Sequence, residues 1–284
     1  MSPRIAVAGA TGTVGRHLAR LLAGTHDVRA LTRSPERAAR SGVGGRPVRA
    51  DFGRRAGLER ALEGADALFV ATFDPGAPCH DEHLAAAAEA AGVRHVVKLS
   101  ALAVLDTGAQ DLITRWQRDC EQLWQSSGLT CTLLRARAFM SNALGWAGAV
   151  RAGEPVRTLH GDTRNACVDP ADVAGVAARA LTVPGHQGRA HALTGPHALS
   201  ARDQVAQLSG LLRRPLVHAE LSEREALDRW RARYPEPVAQ AMLERVGRQV
   251  AGAKETVTQD VLRVTGRPPA TFGAWARRHL ADFR

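Results

Sequence analysis

Short apolar runs alternate with segments of helical spacing through the first half of the chain. Ile5–Ala8, Val28–Leu31, Pro47–Phe52, Ala67–Thr72, His95–Ser100 and Thr130–Arg135 read as strands. Between them, His17–Leu22, Arg55–Glu63, Glu82–Ala91 and Asp111–Ser126 read as helices, and the last carries Leu112, Trp116, Cys120, Leu123 and Trp124 on one face. Strands and helices alternating at this spacing predict an α/β fold, a doubly wound parallel sheet covered on both faces. Past residue 136 or so the alternation weakens. Asp169-Pro170 opens a helix with an acidic cap and a proline in its first turn. Ala190–Leu193 reads as one more strand, Ser222-x-x-Glu225 as a capping box, Val238–Val250 as an amphipathic helix and Thr271 onward as a closing helix. We divide the chain into residues 1–150, the dinucleotide-binding core, and 151–284, the remaining core elements plus a smaller, mostly helical C-terminal lobe. The two form one integrated unit.

The turn after the first strand carries the first candidate chemistry. Gly9-Ala10-Thr11-Gly12-Thr13-Val14-Gly15 sits between a strand and a helix, the setting a dinucleotide fingerprint requires. Gly9 allows the tight turn, Gly12 lets backbone approach a pyrophosphate, and Gly15 lets helix and sheet pack closely. The helix start then offers free N–H groups to phosphate. The second strand ends in Thr32-Arg33-Ser34-Pro35, with no acid to bond a ribose hydroxyl. Arg33 stands there instead, and an arginine fork suits a 2′-phosphate. The expected cofactor is NADPH.

Composition narrows the class. Among 284 residues the net charge is +10, yet the chain has only two lysines, Lys98 and Lys254, and no basic cluster longer than an arginine pair. The charge is spread over helix faces, so we expect anionic small molecules rather than nucleic acid as partners. No run of about 18 apolar residues exists, so no membrane partner is expected. Four scattered cysteines, Cys79, Cys120, Cys131 and Cys167, and a first strand that begins near the N-terminus point to a reduced, cytoplasmic protein, monomer or homodimer. Cys79-His80-Asp81-Glu82-His83 lacks a clear third metal ligand and reads as a helix start, so no metal is expected.

Gly9–Gly15, Leu31-Thr32-Arg33-Ser34, Val97-Lys98-Leu99-Ser100-Ala101, Thr132–Arg135 with Phe139 and Asn142, and Val168-Asp169-x-x-Asp172-Val173-Ala174 together resemble the NmrA-like group of atypical short-chain dehydrogenases/reductases. The resemblance spans nearly the whole chain. It implies a Rossmann core with an NADP(H) site, and either a reductase or a redox-sensing regulator. It places Gly9, Thr11, Gly12, Thr13 and Val14 at the pyrophosphate, Arg33 at the 2′-phosphate and Asp51 with Phe52 beside the adenine. Ala71, Thr72 and Phe73 would follow the ribose, and Ser100 with Ala101 would lie near the nicotinamide.

Ligands of open α/β sheets bind at the carboxyl ends of the strands, which puts Thr72, Phe73, Ser100, Ala136, Arg137 and Phe139 around the reacting atom. The Tyr-x-x-x-Lys pair of ordinary short-chain ketoreductases is missing: the single tyrosine is Tyr234, and neither lysine follows it by four. Gln117 stands where relatives often have histidine, and an amide is neither acid nor base. Candidate catalytic groups are therefore Ser100, Gln117 and His83. Lys98 shares the side of the strand with Ser100 and either meets a charge partner or snorkels. Phe139, Trp116, Trp146 and Trp230 are candidates for an aromatic substrate pocket.

These readings lead to an NADPH-dependent reductase of a carbonyl or quinone on an aromatic small molecule. Its layout resembles tyrosine-less ketoreductases that tailor aromatic polyketides in antibiotic biosynthesis, with protonation assisted by the substrate itself. The alternative is a non-catalytic NADP(H) sensor that binds a protein partner.

Overall fold

The computed structural model describes residues 3–76 and 79–284. In chain order the Rossmann elements are β1 (Arg4–Ala8), α1 (Gly15–Leu22), β2 (Asp27–Thr32), α2 (Pro35–Arg40), β3 (Arg46–Arg49), α3 (Leu58–Leu62), β4 (Ala67–Val70), α4 (Cys79–Ala90), β5 (His95–Ala101), α5 (Leu112–Ser126) and β6 (Thr130–Ala136). There follow α6 (Ala147–Ala152), β7 (Val156–Thr158), α7 (Pro170–Thr182), β8 (Ala190–Leu193), α8 (Ala201–Leu212), β9 (His218–Glu220), α9 (Glu223–Arg231), α10 (Glu236–Val250), α11 (Asp260–Thr265) and α12 (Phe272–Arg278).

Seven strands form one parallel sheet in the order β3-β2-β1-β4-β5-β6-β8. The continuous apolar runs explain this placement, because a central parallel strand is buried on both faces. Ile5, Ala6, Val7 and Ala8 of β1 are all fully buried. One face carries α1 and α7, with Leu18, Val173 and Ala177 in its core. The other carries α3, α4 and α5, with Leu58, Leu84 and Trp124. Chain order reverses between β1 and β4, which opens a crevice at their carboxyl ends. The seventh strand, β8, pairs with β6 from beyond residue 150, and α7 packs against α1, so the Rossmann layers draw on both halves of the chain.

Beyond the sheet, α6, α8 and α12 bury Val150, Leu208 and Trp275 around a core of their own. Helix α10 lays Val238 and Ala241 against Ile113 of α5. This crossing brings C-terminal side chains over the sheet end. Both expected caps are made: Asp169 accepts from the Ala171 N–H, and Ser222 and Glu225 close a capping box; Thr271 also caps α12. No helix among the described residues is long and apolar enough to cross a membrane.

Several boundaries differ from the sequence reading. The third and fourth strands stop at Arg49 and Val70, because their register partners Thr32 and Ala8 end there. Asp51–Phe52 and Ala71–Phe73 are thereby freed as loops facing the crevice. The helix expected from Arg55 begins only at Leu58, since Gly57 is left-handed at φ 91°. The two-stranded sheet of β7 and β9 was not foreseen, its three-residue strands being too short to show alternation.

Candidate functional site

The crevice is a cleft of about 760 Å³ running across the ends of β1 to β4. Gly9 turns the chain at φ 84°, and the Gly12 N–H closes the turn on its carbonyl at 2.8 Å. A Cβ on Gly9 would lie 2.5 Å from the Ala71 carbonyl, and one on Gly15 would lie 2.1 Å from the Gly9 carbonyl. Neither position tolerates a side chain, so the backbone lies open where a pyrophosphate would rest. Gly9 and Thr11 line the cleft, and Val14 is a core residue against the sheet, leaving only its backbone for that role. Arg33 lines the far end with Ser34 and Arg37, one turn further along α2, which the sequence reading missed. Asp51, Phe52, Ala71, Thr72 and Phe73 complete the walls. This donor set, two arginine forks at one end of a glycine cradle, fits a dinucleotide with a 2′-phosphate.

Two buried networks hold the floor. Lys98 is fully buried and pairs with Asp81 at 2.7 Å. Its ammonium also donates to the Thr72 hydroxyl at 2.9 Å, which in turn donates to Asp81. The Trp124 indole completes the set, donating to Asp81 at 2.6 Å. Burial alone would push the Asp81 carboxyl up, but Lys98 and these hydrogen bonds hold it below the usual carboxylate range. The network fixes the Ala71–Phe73 loop against α4 and α5. Lys98 thus meets a charge partner, and the partner is Asp81, which the sequence reading had taken only as part of a helix start.

The second network corrects an expectation. Ser100 is buried, and its hydroxyl donates to Glu121 at 2.5 Å. Glu121 is clamped by Arg135 at 2.7 Å. The hydroxyl expected to orient a carbonyl is instead turned toward α5, where Ser100 braces β5, α5 and β6. His83 also falls elsewhere. Its Nδ1 lies 2.9 Å from the Phe52 carbonyl, at the adenine end rather than the reacting end. Beside it, Asp74, Cys79 and His80 each bring one donor atom within 4.8 Å of the others. Cys120 and Cys131 are buried, which pushes both thiols up to about 12, so neither is a nucleophile.

At the reacting end, Phe73 is 55% exposed in the cleft wall and meets Trp116 edge-to-face at 5.7 Å. The Trp116 indole nitrogen and the Gln117 amide oxygen are buried without hydrogen-bond partners among the described residues. Gln117 thus retains an unused acceptor on α5. Phe139 bridges to Val168 beside the end of β6. Trp146 packs against the core of α6, α8 and α12, and Trp230 sits on α9.

Tyr234 is 38% exposed just past α9. It lies outside the strand-end cluster in sequence, on the segment between α9 and α10. Tyr234→Phe is therefore expected to retain most of kcat, and a loss of about a hundredfold, the scale of general-acid catalysis, would show that the lobe delivers it.

The NAD(P)H-binding family matches residues 9–184. The chain is 50% identical to a (4-alkanoyl-5-oxo-2,5-dihydrofuran-3-yl)methyl phosphate reductase of Streptomyces griseus, over 98% of this chain and 99% of the relative. It is 34% identical to an NAD(P)H azoreductase of Xenophilus azovorans, over 98% of this chain and 99% of the relative. Its fold is similar to that of an NADPH-dependent quinone oxidoreductase of Escherichia coli solved with NADPH, at a TM-score of 0.83 and 27% identity, covering 98% of this chain and 99% of that one. The glycine cradle, the arginine-lined end and these likenesses together make the chain a member of the NAD(P)H-binding, NmrA-like atypical short-chain dehydrogenases/reductases, and an NAD(P)H-dependent reductase of small molecules.

Proposed function

We propose that this reductase delivers hydride to a carbon–carbon double bond conjugated to carbonyl groups, in an acceptor of the kind named for the Streptomyces griseus relative. The observation that carries this reading is that, among the described residues, the groups on β5 and the tyrosine that a ketoreductase would use are engaged elsewhere or carried past α9. Lys98 is spent on Asp81, Ser100 on Glu121, and Tyr234 lies out on the lobe. When bound, the nicotinamide supplies the hydride. Reduction of an isolated ketone leaves an alkoxide, which needs a proton at once. In a 4-alkanoyl-5-oxo-2,5-dihydrofuran, hydride added at ring carbon 3 leaves an enolate shared by the lactone and the alkanoyl carbonyls. That anion is a far weaker base than an alkoxide and takes its proton from water. The chain's own part is to position the acceptor and shield it: the Lys98–Asp81–Thr72 network fixes the Phe73 wall, and Phe73, backed by buried Trp116, offers an apolar face. The protonation help expected from the substrate is thus electronic, supplied by its second carbonyl.

The same face favours a second reading, an aromatic quinone or ketone stacked on Phe73. This is the acceptor expected from the sequence, including the polyketide type. A regulator would need no apolar wall at the end of the cofactor cleft, which favours catalysis over sensing.

Following NADPH absorbance with matched acceptors separates these readings. We expect kcat/KM for the doubly activated ene-lactone to exceed that for isolated ketones by at least about a hundredfold. An equal or reversed preference overturns the assignment.

A further inference from the structure

A second, narrow cleft lies over the ends of β5 and β6, beyond the cofactor cleft. Arg137 enters it directly from β6, and Arg245, Arg248 and Lys254 come from α10 and the segment after it, with Asp106 and Asp111 opposite. Four cations against two carboxylates leave two positive charges uncompensated. The pairing is uneven. Arg248 is neutralised by Asp106 through two bonds, at 2.8 and 2.7 Å. Arg245 donates to Thr114 at 2.8 Å and stands 3.6 Å from Asp111, whose carboxylate already caps α5 by accepting the Thr114 N–H at 2.9 Å. Lys254 has one long contact, 3.3 Å to the Gln249 amide oxygen. Burial first, then the facing Arg245 and Arg137, pull its ammonium down to about 8.

Arg137 is the telling residue. Only 9% of it is exposed, its Nε is buried with no hydrogen-bond partner, and it makes no ion pair among the described residues. A guanidinium buried without an anion is unfavourable, because desolvation is not repaid. Such an arrangement persists where a ligand completes it.

We propose that this cleft is an anion subsite that holds the phosphate monoester of the substrate, with Arg137, Arg245 and Lys254 as its ligands. The assignment rests on the reductase reading only in taking the ends of β5 and β6 as the substrate end of the sheet. A monoester dianion matches the two uncompensated charges, and arginine forks match its oxygens. The subsite sets specificity. It anchors a phosphorylated acceptor one or two strand spacings from β4, where the cofactor cleft ends, and it leaves neutral acceptors without that anchor.

The test uses protein saturated with NADP+, so that the cofactor's own phosphate site is filled. Inorganic phosphate and methyl phosphate are titrated by calorimetry and by thermal shift. Both are expected to bind the wild type and raise its Tm. Arg137→Met is expected to lose at least about tenfold in phosphate affinity, and to melt no lower than wild type in phosphate-free buffer, since it removes an uncompensated charge. Lys254→Met serves as the second variant. Equal phosphate binding by wild type and both variants, or an Arg137→Met protein that melts well below wild type without phosphate, overturns the proposal by making Arg137 structural. Turnover is the other arm. The ratio of kcat/KM for a phosphorylated acceptor to that of its free alcohol is expected to be about a hundredfold in wild type and to collapse in the variants, chiefly through KM. If phosphate binds but ester and alcohol react alike, the site is not a substrate subsite and the proposal falls. Failure of every acceptor with phosphate binding intact would instead remove the reductase reading and leave the anion site standing.

Discussion

Asp81→Asn is expected to cost about 3–5 kcal/mol of folding stability, the range for removing one partner of a buried ion pair. Asp81 is 2% exposed and Lys98 is fully buried, so solvent does not screen the loss. The variant strands the ammonium among apolar side chains and leaves the Trp124 indole and Thr72 hydroxyl with a poorer acceptor. Adding Lys98→Met to Asp81→Asn is expected to restore much of the stability, because the stranded charge is then gone. The effect has a pH signature. The Asp81 carboxyl is held below its ordinary value of 3.8 in the folded chain, so it binds its proton more readily when unfolded. Its stabilisation is fully present above that ordinary value and is lost as pH falls through the lower folded value. Denaturant melts of wild type and Asp81→Asn are therefore expected to converge in acid, below the ordinary carboxyl range. A gap that stays constant well below that range would show that Asp81 acts through packing alone. Because the same network anchors Ala71–Phe73, the variant is also expected to loosen the cleft wall and raise KM.

Arg33→Asp is expected to reduce the preference for NADPH over NADH by about a hundredfold, through loss of a charge-assisted fork and gain of a repelling carboxylate. Arg33 is exposed at the cleft end, which limits the loss from its fork alone, and Arg37 remains nearby. Pairing Arg33→Asp with Arg37→Ala is expected to complete the switch. The readouts are Kd for each cofactor and the ratio of kcat/KM values. Unchanged selectivity in the double variant would place the 2′-phosphate elsewhere.

The fold was legible because a parallel sheet buried on both faces writes itself as continuous apolar runs. Those runs located the inner strands; the edge strands, Arg46–Arg49 and Ala190–Leu193, are less apolar and were placed by their spacing in the alternation. The cofactor end was legible for a local reason: the glycine turn, Arg33, Asp51–Phe52 and Ala71–Phe73 all sit at strand ends. The reacting end was harder, because its chemistry depends on which way a side chain turns. Ser100 and Lys98 were placed on the correct strand, but only the partners Glu121 and Asp81, 21 and 17 residues away in sequence, show that both groups are committed. His83 looked free because nothing local reveals that the Phe52 carbonyl takes its ring nitrogen. Arg137 was visible at a strand end. Its companions Arg245 and Lys254 were not, since they lie more than a hundred residues on and arrive only through the crossing of α10 over α5. One signal was available: Lys254 is one of two lysines in a chain that otherwise uses arginine, and the other lysine is the buried Lys98.

The most direct measurement follows the hydride itself. NADPH carrying deuterium at the transferred position is turned over with a phosphorylated 4-alkanoyl-5-oxo-2,5-dihydrofuran acceptor, and the product is read by NMR. The account predicts deuterium on ring carbon 3, with the alkanoyl carbonyl intact. Deuterium on a newly formed carbinol carbon, with the ring double bond retained, would contradict it.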